Sequence, residues 1–257
     1  DHTVTLSLHA PRITFIDQLF TLGIVPHAER ENGYSERYGR QPMGSGPYQL
    51  VEWQEGEQLI VERNPYFYGS PPAFERLVFL FTGEDATLSA AHAGQVDVAY
   101  VSPALAANVP ASMQRVIMQS VDNRGILFPM QPAIGVQTES GAPIGNNVTT
   151  DLAIRQAINL AVDRDTLAEV ALHGYGRPAY GPADGLPWSD DEERIEAPNM
   201  AQADEILDAA GWELRDDGLR YKDDEPARFR LTYPSSDTTR QLLAEVSAEM
   251  VRPLGIE

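Results

Sequence analysis

Polar and apolar residues alternate over "TVTLSLHAP", and the run closes on Pro11, which predicts a strand. The period then changes. In "TFIDQLFTLGIVP", Phe15, Leu19 and Leu22 share one face of a short helix that stops near Gly23. "YQLVEWQEGEQLIVERN" holds two strand-like runs around Gln54-Glu55-Gly56-Glu57, the pattern of a hairpin with a glycine in its turn. Within it Glu52 alternates with Val51 and Trp53, which places those two apolar side chains on the opposite face. "ERLVFLF" reads as a further strand, Glu75 to Phe81. "EDATLSAAHAG" reads as a helix with Asp85 near its start and Gly94 at its stop. "QVDVAYVSP" returns as a strand and ends in a loop at Ser102-Pro103.

Beyond Pro110, "MQRVIMQSVDNRGILFPMQ" is extended in character, broken at Asp122-Asn123-Arg124-Gly125, and a Gly-, Pro- and Asn-rich loop covers 132–149. Two helices follow. Ile154, Ile158 and Ala161 line one face of the first, while Asp165 caps the second and Gly174 ends it. "GYGRPAYGPADGLPW" is an ordered loop. "NMAQADEILDAAGW" is a helix in which Asn199 and Gln202 resemble a capping box and Gly211 is the stop. Asp217-Gly218 turns a small hairpin, "ARFRLTYP" is a strand, and "DTTRQLLAEVSAEMVRPLG" is a closing amphipathic helix. The alternation of strands and helices places the chain in the α/β class, with mixed sheets flanked by helices.

Charge narrows the range of partners. The 257 residues carry 38 acidic and 19 basic side chains, a formal net charge of −19, which repels nucleic acid and anionic membranes. The acids are scattered, as on a solvated surface, and no apolar run reaches the roughly 18 residues of a membrane span. Cysteine is absent, which removes disulfides, thiolate metal sites and cysteine nucleophiles.

The glycine pair in "GSGP" invites a phosphate-loop reading that its context refuses. It precedes a strand rather than a helix, Pro47 removes an amide donor, and no Lys-Ser or Lys-Thr follows. A tight turn using positive φ is the better account. "MGSGP" is not a nucleophile elbow, and the five histidines form neither a metal-ligand nor a catalytic spacing. With so many acids a carboxylate pair for hydrolysis of peptides or glycans stays open, but no pair is singled out. Tyr100 differs from the other aromatics because it lies at a strand's C-terminal end, where α/β folds place ligands.

Read together, "GSGPYQLVEW", "LIVERNPYFYGSPPAFERLVF", "AAHAGQVDVAYVSP", "DLAIRQAINLAVDRDTLAEVALHGYGRPAYGP" and "ADEILDAAGWELRDDGLRYKDDEPARFRLTYP" resemble the extracellular solute-binding proteins of ABC importers, in the oligopeptide, dipeptide and nickel class. The resemblance is collinear over nearly the whole chain. It implies a two-lobed periplasmic-binding-protein-like fold (type II, the large peptide-binding class), of which this chain is a middle portion. The export signal or a membrane anchor would then lie in a preceding region, and much of the machinery that clamps peptide termini beyond residue 257. Residues 1–121 would belong to the first lobe, 122–125 to the crossing and 126–257 to the second lobe.

The implied function is non-enzymatic. The protein captures an oligopeptide or similar small solute between lobes, as a periplasmic or extracellular monomer, and delivers it to ABC permease subunits without cofactor, metal or nucleic acid. Thr21 and Leu22, the loop Tyr100, Val101 and Ser102, and the crossing residues Asn123, Arg124 and Phe128 match positions beside the ligand. The nickel- or metal-chelate-binding alternative is disfavoured because relatives of that kind carry an Arg near "FTLGIVP" and this chain does not. A family member repurposed as a receptor or chaperone would share the same residues.

Overall fold

A computed structural model describes residues 3–27, 36–118, 120–190, 194–195 and 197–257. It divides into two compact units, Asp1–Thr82 and Gly83–Glu257. In the first unit the expected hairpin forms. Strands β1 (Tyr48–Gln54) and β2 (Gln58–Arg63) pair antiparallel, and the Glu57 amide donates to the Gln54 carbonyl across the turn at 3.0 Å. Gly56 takes φ 79°, a conformation that a side chain would strain. Strand β3 (Arg76–Leu80) pairs with the other edge of β2, giving the order β1-β2-β3. Ile60, on the central strand, is the residue this sheet buries best.

Three expectations change in this unit. The register slips between Leu50 and Glu52, a bulge at Val51 that breaks the strict alternation, and both Val51 and Trp53 stay about half exposed. Residues 3–8 form no strand, since an extended run needs a hydrogen-bonded neighbour and has none among the described residues. Gly44 and Gly46 do not use positive φ, and a Cβ on Gly46 would meet nothing within 4 Å. Gly46 acts instead through its carbonyl. The buried side chain of Asn64 donates from Nδ2 to Gly46 O at 2.9 Å, and the Asn64 backbone N–H donates to Pro47 O at 2.9 Å. Asn64 Oδ1 accepts from the Tyr66 amide at 3.0 Å, so one side chain joins "GSGP" to "ERNP" and shapes the turn that follows. The short helices α1 (Phe15–Leu19) and α2 (Glu36–Arg40) complete the unit's regular structure among the described residues.

The second unit begins with α3 (Glu84–His92), followed by Gly94 at φ 67°. The expected strand at 95–103 is irregular up to a 3-10 turn, Pro103–Asn108, and the run from Met113 to Gln131 contains no strand among its described residues. Four helices build the core: α4 (Leu152–Ala161), α5 (Arg164–Leu172), α6 (Met200–Ala209) and α7 (Thr238–Val251). Ile154, Ala157, Ile158 and Ala161 of α4 meet Ala203 and Leu207 of α6, with Trp212, Val251, Leu254 and Ile256 around them. Ala157 and Ala203 are fully buried, small enough to let the two helices approach closely.

The caps explain where these helices start. Asp151 accepts from Ala153 N, Asn199 from Gln202 N and Asp237 from Arg240 N. The cap of α5 is Asp163, not Asp165. Its carboxylate accepts from the amides of Asp165 and Thr166, which puts Asp165 in the first turn, where its charge suits the helix dipole. Asn199 makes only half of a capping box. Its Nδ2 donates to Gln202 Oε1 at 3.2 Å, while its backbone N–H goes to Leu160 O.

A small sheet β4 (Glu213–Leu214), β5 (Arg220–Lys222) and β6 (Glu225–Pro226) follows α6, with Gly218 at φ 82° in the expected hairpin. Arg220 on β5 is buried, and its guanidinium donates to the Leu254 and Trp212 carbonyls and to the carboxylates of Asp204 and Asp208. The "ARFRLTYP" run forms no assigned strand. It nevertheless hydrogen-bonds the chain's last residues: Glu257 N donates to Ala227 O at 2.9 Å and Phe229 N to Glu257 O at 2.8 Å.

Candidate functional site

In the second unit the segment after α3 delivers Tyr100, Val101 and Ser102 to the 3-10 turn. Tyr100 is 82% exposed, Val101 is half-buried and Ser102 is 2% exposed. Ser102 O accepts from Leu105 N at 3.1 Å and so starts the turn, while its hydroxyl donates to Glu84 Oε2 at 3.2 Å. Of the three expected residues, Tyr100 presents a large free surface and Ser102 faces inward.

The crossing residues are held separately. Asn123 Nδ2 donates to the carbonyls of Gly181 at 3.1 Å and Pro182 at 3.0 Å, which ties 123 to the Gly- and Pro-rich loop after α5. Arg124 pairs with Asp122 at 2.8 Å, and both are substantially exposed. Phe128 packs on the helical core edge-on to Phe229, with ring centroids 6.3 Å apart at 72°. Beside it lies a pocket of about 60 Å³ lined by Ile126, Phe128, Asn146, Thr149, Phe229 and Arg230. It is far smaller than the roughly 300–1,000 Å³ of a typical solute pocket.

Thr21 and Leu22 belong to the other unit, just past α1. The Thr21 hydroxyl donates to Gln18 O at 3.0 Å, and Leu22 is exposed. Thr21, Ser102, Asn123, Arg124 and Phe128 therefore each bond or pack with a different partner. Glu84, Thr238 and Phe229 join them and escaped sequence reasoning. An acidic residue opening a helix looks like an ordinary dipole partner, and nothing local marks the Glu84–Thr238 pairing across 154 positions.

A second polar cluster lies at the edge of the helical core. Asp151 Oδ2 accepts from Trp212 Nε1 at 3.0 Å and Lys222 Nζ at 2.7 Å. Burial alone would raise the Asp151 pKa, but hydrogen bonds from Lys222, the Ala153 amide and Trp212, with the Lys222 charge, bring it below the ordinary carboxylate value. Among the described residues no group of three or more His, Cys, Asp or Glu is placed to hold a metal ion, and no helix is long and apolar enough to cross a membrane.

The model of the family described as "Bacterial extracellular solute-binding proteins, family 5 Middle" matches residues 1–257, the full length of the chain. The chain belongs to this family. Protein XP55 of Streptomyces lividans is 35% identical over 265 aligned residues, covering 100% of this chain and 46% of that protein. The oligopeptide-binding protein AppA of Bacillus subtilis is 27% identical, over 92% of this chain and 42% of its own. Among solved structures, NikZ from Campylobacter jejuni in complex with Ni(L-His) superposes with a TM-score of 0.83 at 25% identity, covering 97% of this chain and 49% of that one. The chain thus spans about half the length of the relatives it matches.

The α/β fold class of the two-lobed periplasmic binding proteins, expected from the family's motifs, is borne out by these neighbours. Family members are periplasmic or extracellular solute-binding proteins, and relatives from Bacillus subtilis and Escherichia coli are named as binding proteins.

Proposed function

We propose that this chain is part of the substrate-binding component of an ABC importer, which captures an oligopeptide or similar small organic solute between two lobes and hands it to a membrane permease. The observation that carries the reading is the family match along the entire chain. Relatives from Bacillus subtilis and Salmonella typhimurium are named oligopeptide-binding, and an Escherichia coli relative is named a probable ABC transporter periplasmic-binding protein. On this reading residues 1–121 contribute to the first lobe, 126–257 to the second, and 122–125 cross between them. Tyr100, Val101, Ser102, Asn123, Arg124 and Phe128, with Thr21 and Leu22 of the first lobe, line or support the solute cleft. The protein acts as a periplasmic or extracellular monomer without chemistry of its own and binds no nucleic acid.

A nickel chelate is the second reading. What favours it is the fold likeness to the Ni(L-His) complex of NikZ, with a TM-score of 0.83, and an Escherichia coli relative named a nickel-binding periplasmic protein, 24% identical over 85% of this chain. Against it stands the absence of arginine in "FTLGIVP". Native mass spectrometry of the full-length protein from its own cells separates the two. A retained peptide is the expected result, and a retained nickel chelate would replace the peptide. If peptide and chelate pools give neither a thermal shift nor domain closure in small-angle scattering, the binding function itself is wrong.

A further inference from the structure

Glu84 lies where three segments meet. Its Oε2 accepts from the Ser102 hydroxyl at 3.2 Å and from the Thr238 hydroxyl at 2.6 Å. Ser102 immediately precedes the 3-10 turn, where a serine ordinarily caps the turn's free amides. Here it makes no side-chain cap, and its buried hydroxyl goes to Glu84 instead. Thr238 is the first residue of α7, whose cap is supplied by Asp237, which leaves the threonine hydroxyl available. The 3-10 turn itself packs against α5 and α7. One carboxylate oxygen therefore links the start of α3, the end of the Tyr100–Ser102 loop and the start of α7. The positive ends of two helix dipoles favour a carboxylate at that point.

We propose that Glu84 is a positioning residue of the solute site. Through Ser102 it fixes the loop that presents Tyr100 and Val101, and through Thr238 it couples that loop to α7. The inference rests on reading residues 100–102 as a ligand loop. On the proposed lobe boundary, Glu84 and Ser102 lie before the crossing and Thr238 lies after it. The Thr238 bond then spans that boundary, as does the packing of the 3-10 turn on α5 and α7, and lobe movement would change both. Ser102 is the loop's internal support, and Tyr100 and Val101 are its outward contacts.

The test uses the full-length protein with Glu84→Ala, Glu84→Gln and Thr238→Val. Two quantities are read: hydrogen exchange across 100–108, which contains the Leu105 amide bonded to Ser102 O, and affinity for an equimolar pool of synthetic pentapeptides. Glu84→Ala leaves the buried Ser102 hydroxyl without its acceptor, so exchange should rise on the order of tenfold and affinity fall by a similar factor. Glu84→Gln keeps an oxygen acceptor and should restore both to within about threefold. Thr238→Val should raise exchange less than Glu84→Ala.

Wild-type exchange and affinity in a folded Glu84→Ala protein would overturn the proposal. So would a Glu84→Gln as impaired as the alanine variant, since charge alone would then account for the effect. Should Glu84→Ala fail to fold, unchanged Leu105 exchange in Thr238→Val overturns it equally. If the wild type binds no pentapeptide while exchange responds as expected, the peptide reading falls and Glu84's support of the loop stands.

Discussion

The helices between Leu152 and Val251 and the stretch from Gln95 to Gln131 are both rich in apolar residues, yet the helices bury theirs fully at the core, while the described apolar residues of the stretch stay half-buried or exposed. Ile154 and Leu207 are completely buried, whereas Leu127 is 96% exposed and Val98, Val116 and Met130 are also open to solvent. Composition does not separate the two regions. A helix satisfies its backbone hydrogen bonds within itself, so its apolar stripe needs only one packing partner, which α4 and α6 give each other. An extended run satisfies neither its backbone nor its side chains until a neighbouring strand pairs with it.

The largest test of this contrast is Leu207→Ala. Removing a fully buried leucine side chain between α6 and its neighbours should cost about 2–5 kcal/mol, read as a lower urea midpoint at unchanged slope. A loss under about 1 kcal/mol would mean that the helical core is not what holds this region together.

Asp151→Asn probes the polar edge of the same core and should cost about 1–3 kcal/mol at neutral pH, because Ala153 N and Trp212 Nε1 bond different carboxylate oxygens, the amide keeps only one of them as an acceptor, and Lys222 loses its ionic partner. The Asp151 pKa is lowered in the folded protein, so its contribution is complete above the ordinary carboxylate pKa of about 4 and disappears as pH falls through the lowered value. Stability curves of wild type and variant, measured from neutral to strongly acidic pH, should therefore converge at the acid end. A constant gap would assign the loss to packing. The smallest effect is expected from Leu127→Ser, within about 0.5 kcal/mol by urea denaturation. A large loss would show that Leu127 is covered in the protein and would dissolve the contrast.

The same physics decides what is legible in the sequence. The α4 face of Ile154, Ile158 and Ala161, the Gly56 turn and the Asp217-Gly218 hairpin follow from local periods and local turn chemistry, and all three form as expected. Asp165 reads as the α5 cap because Asp163, two residues earlier, offers the same chemistry, and only the backbone angles choose between them. The runs at 3–8 and 95–103 read as strands but need a partner that no local pattern identifies. In the candidate site, Tyr100 reads as an aromatic at a strand end, but the run before it forms no strand and leaves the ring exposed. The inward turn of Ser102 is not legible, because its acceptor Glu84 is 18 residues away and is itself shared with Thr238.

Asn64 gives the hairpin a property that its strands alone would not. By bonding Gly46 and Pro47 it closes the polypeptide into a ring of about the hairpin's own length, with both ends held by a single amide side chain and its backbone. In polymer terms the closure is set at the base of the ring, so the size of the loop above it matters little. Each doubling of a flexible loop costs only about 0.6 kcal/mol. The Glu55-Gly56 tip can therefore absorb added residues more cheaply than the base, while a change at Asn64 would open the ring at its clasp.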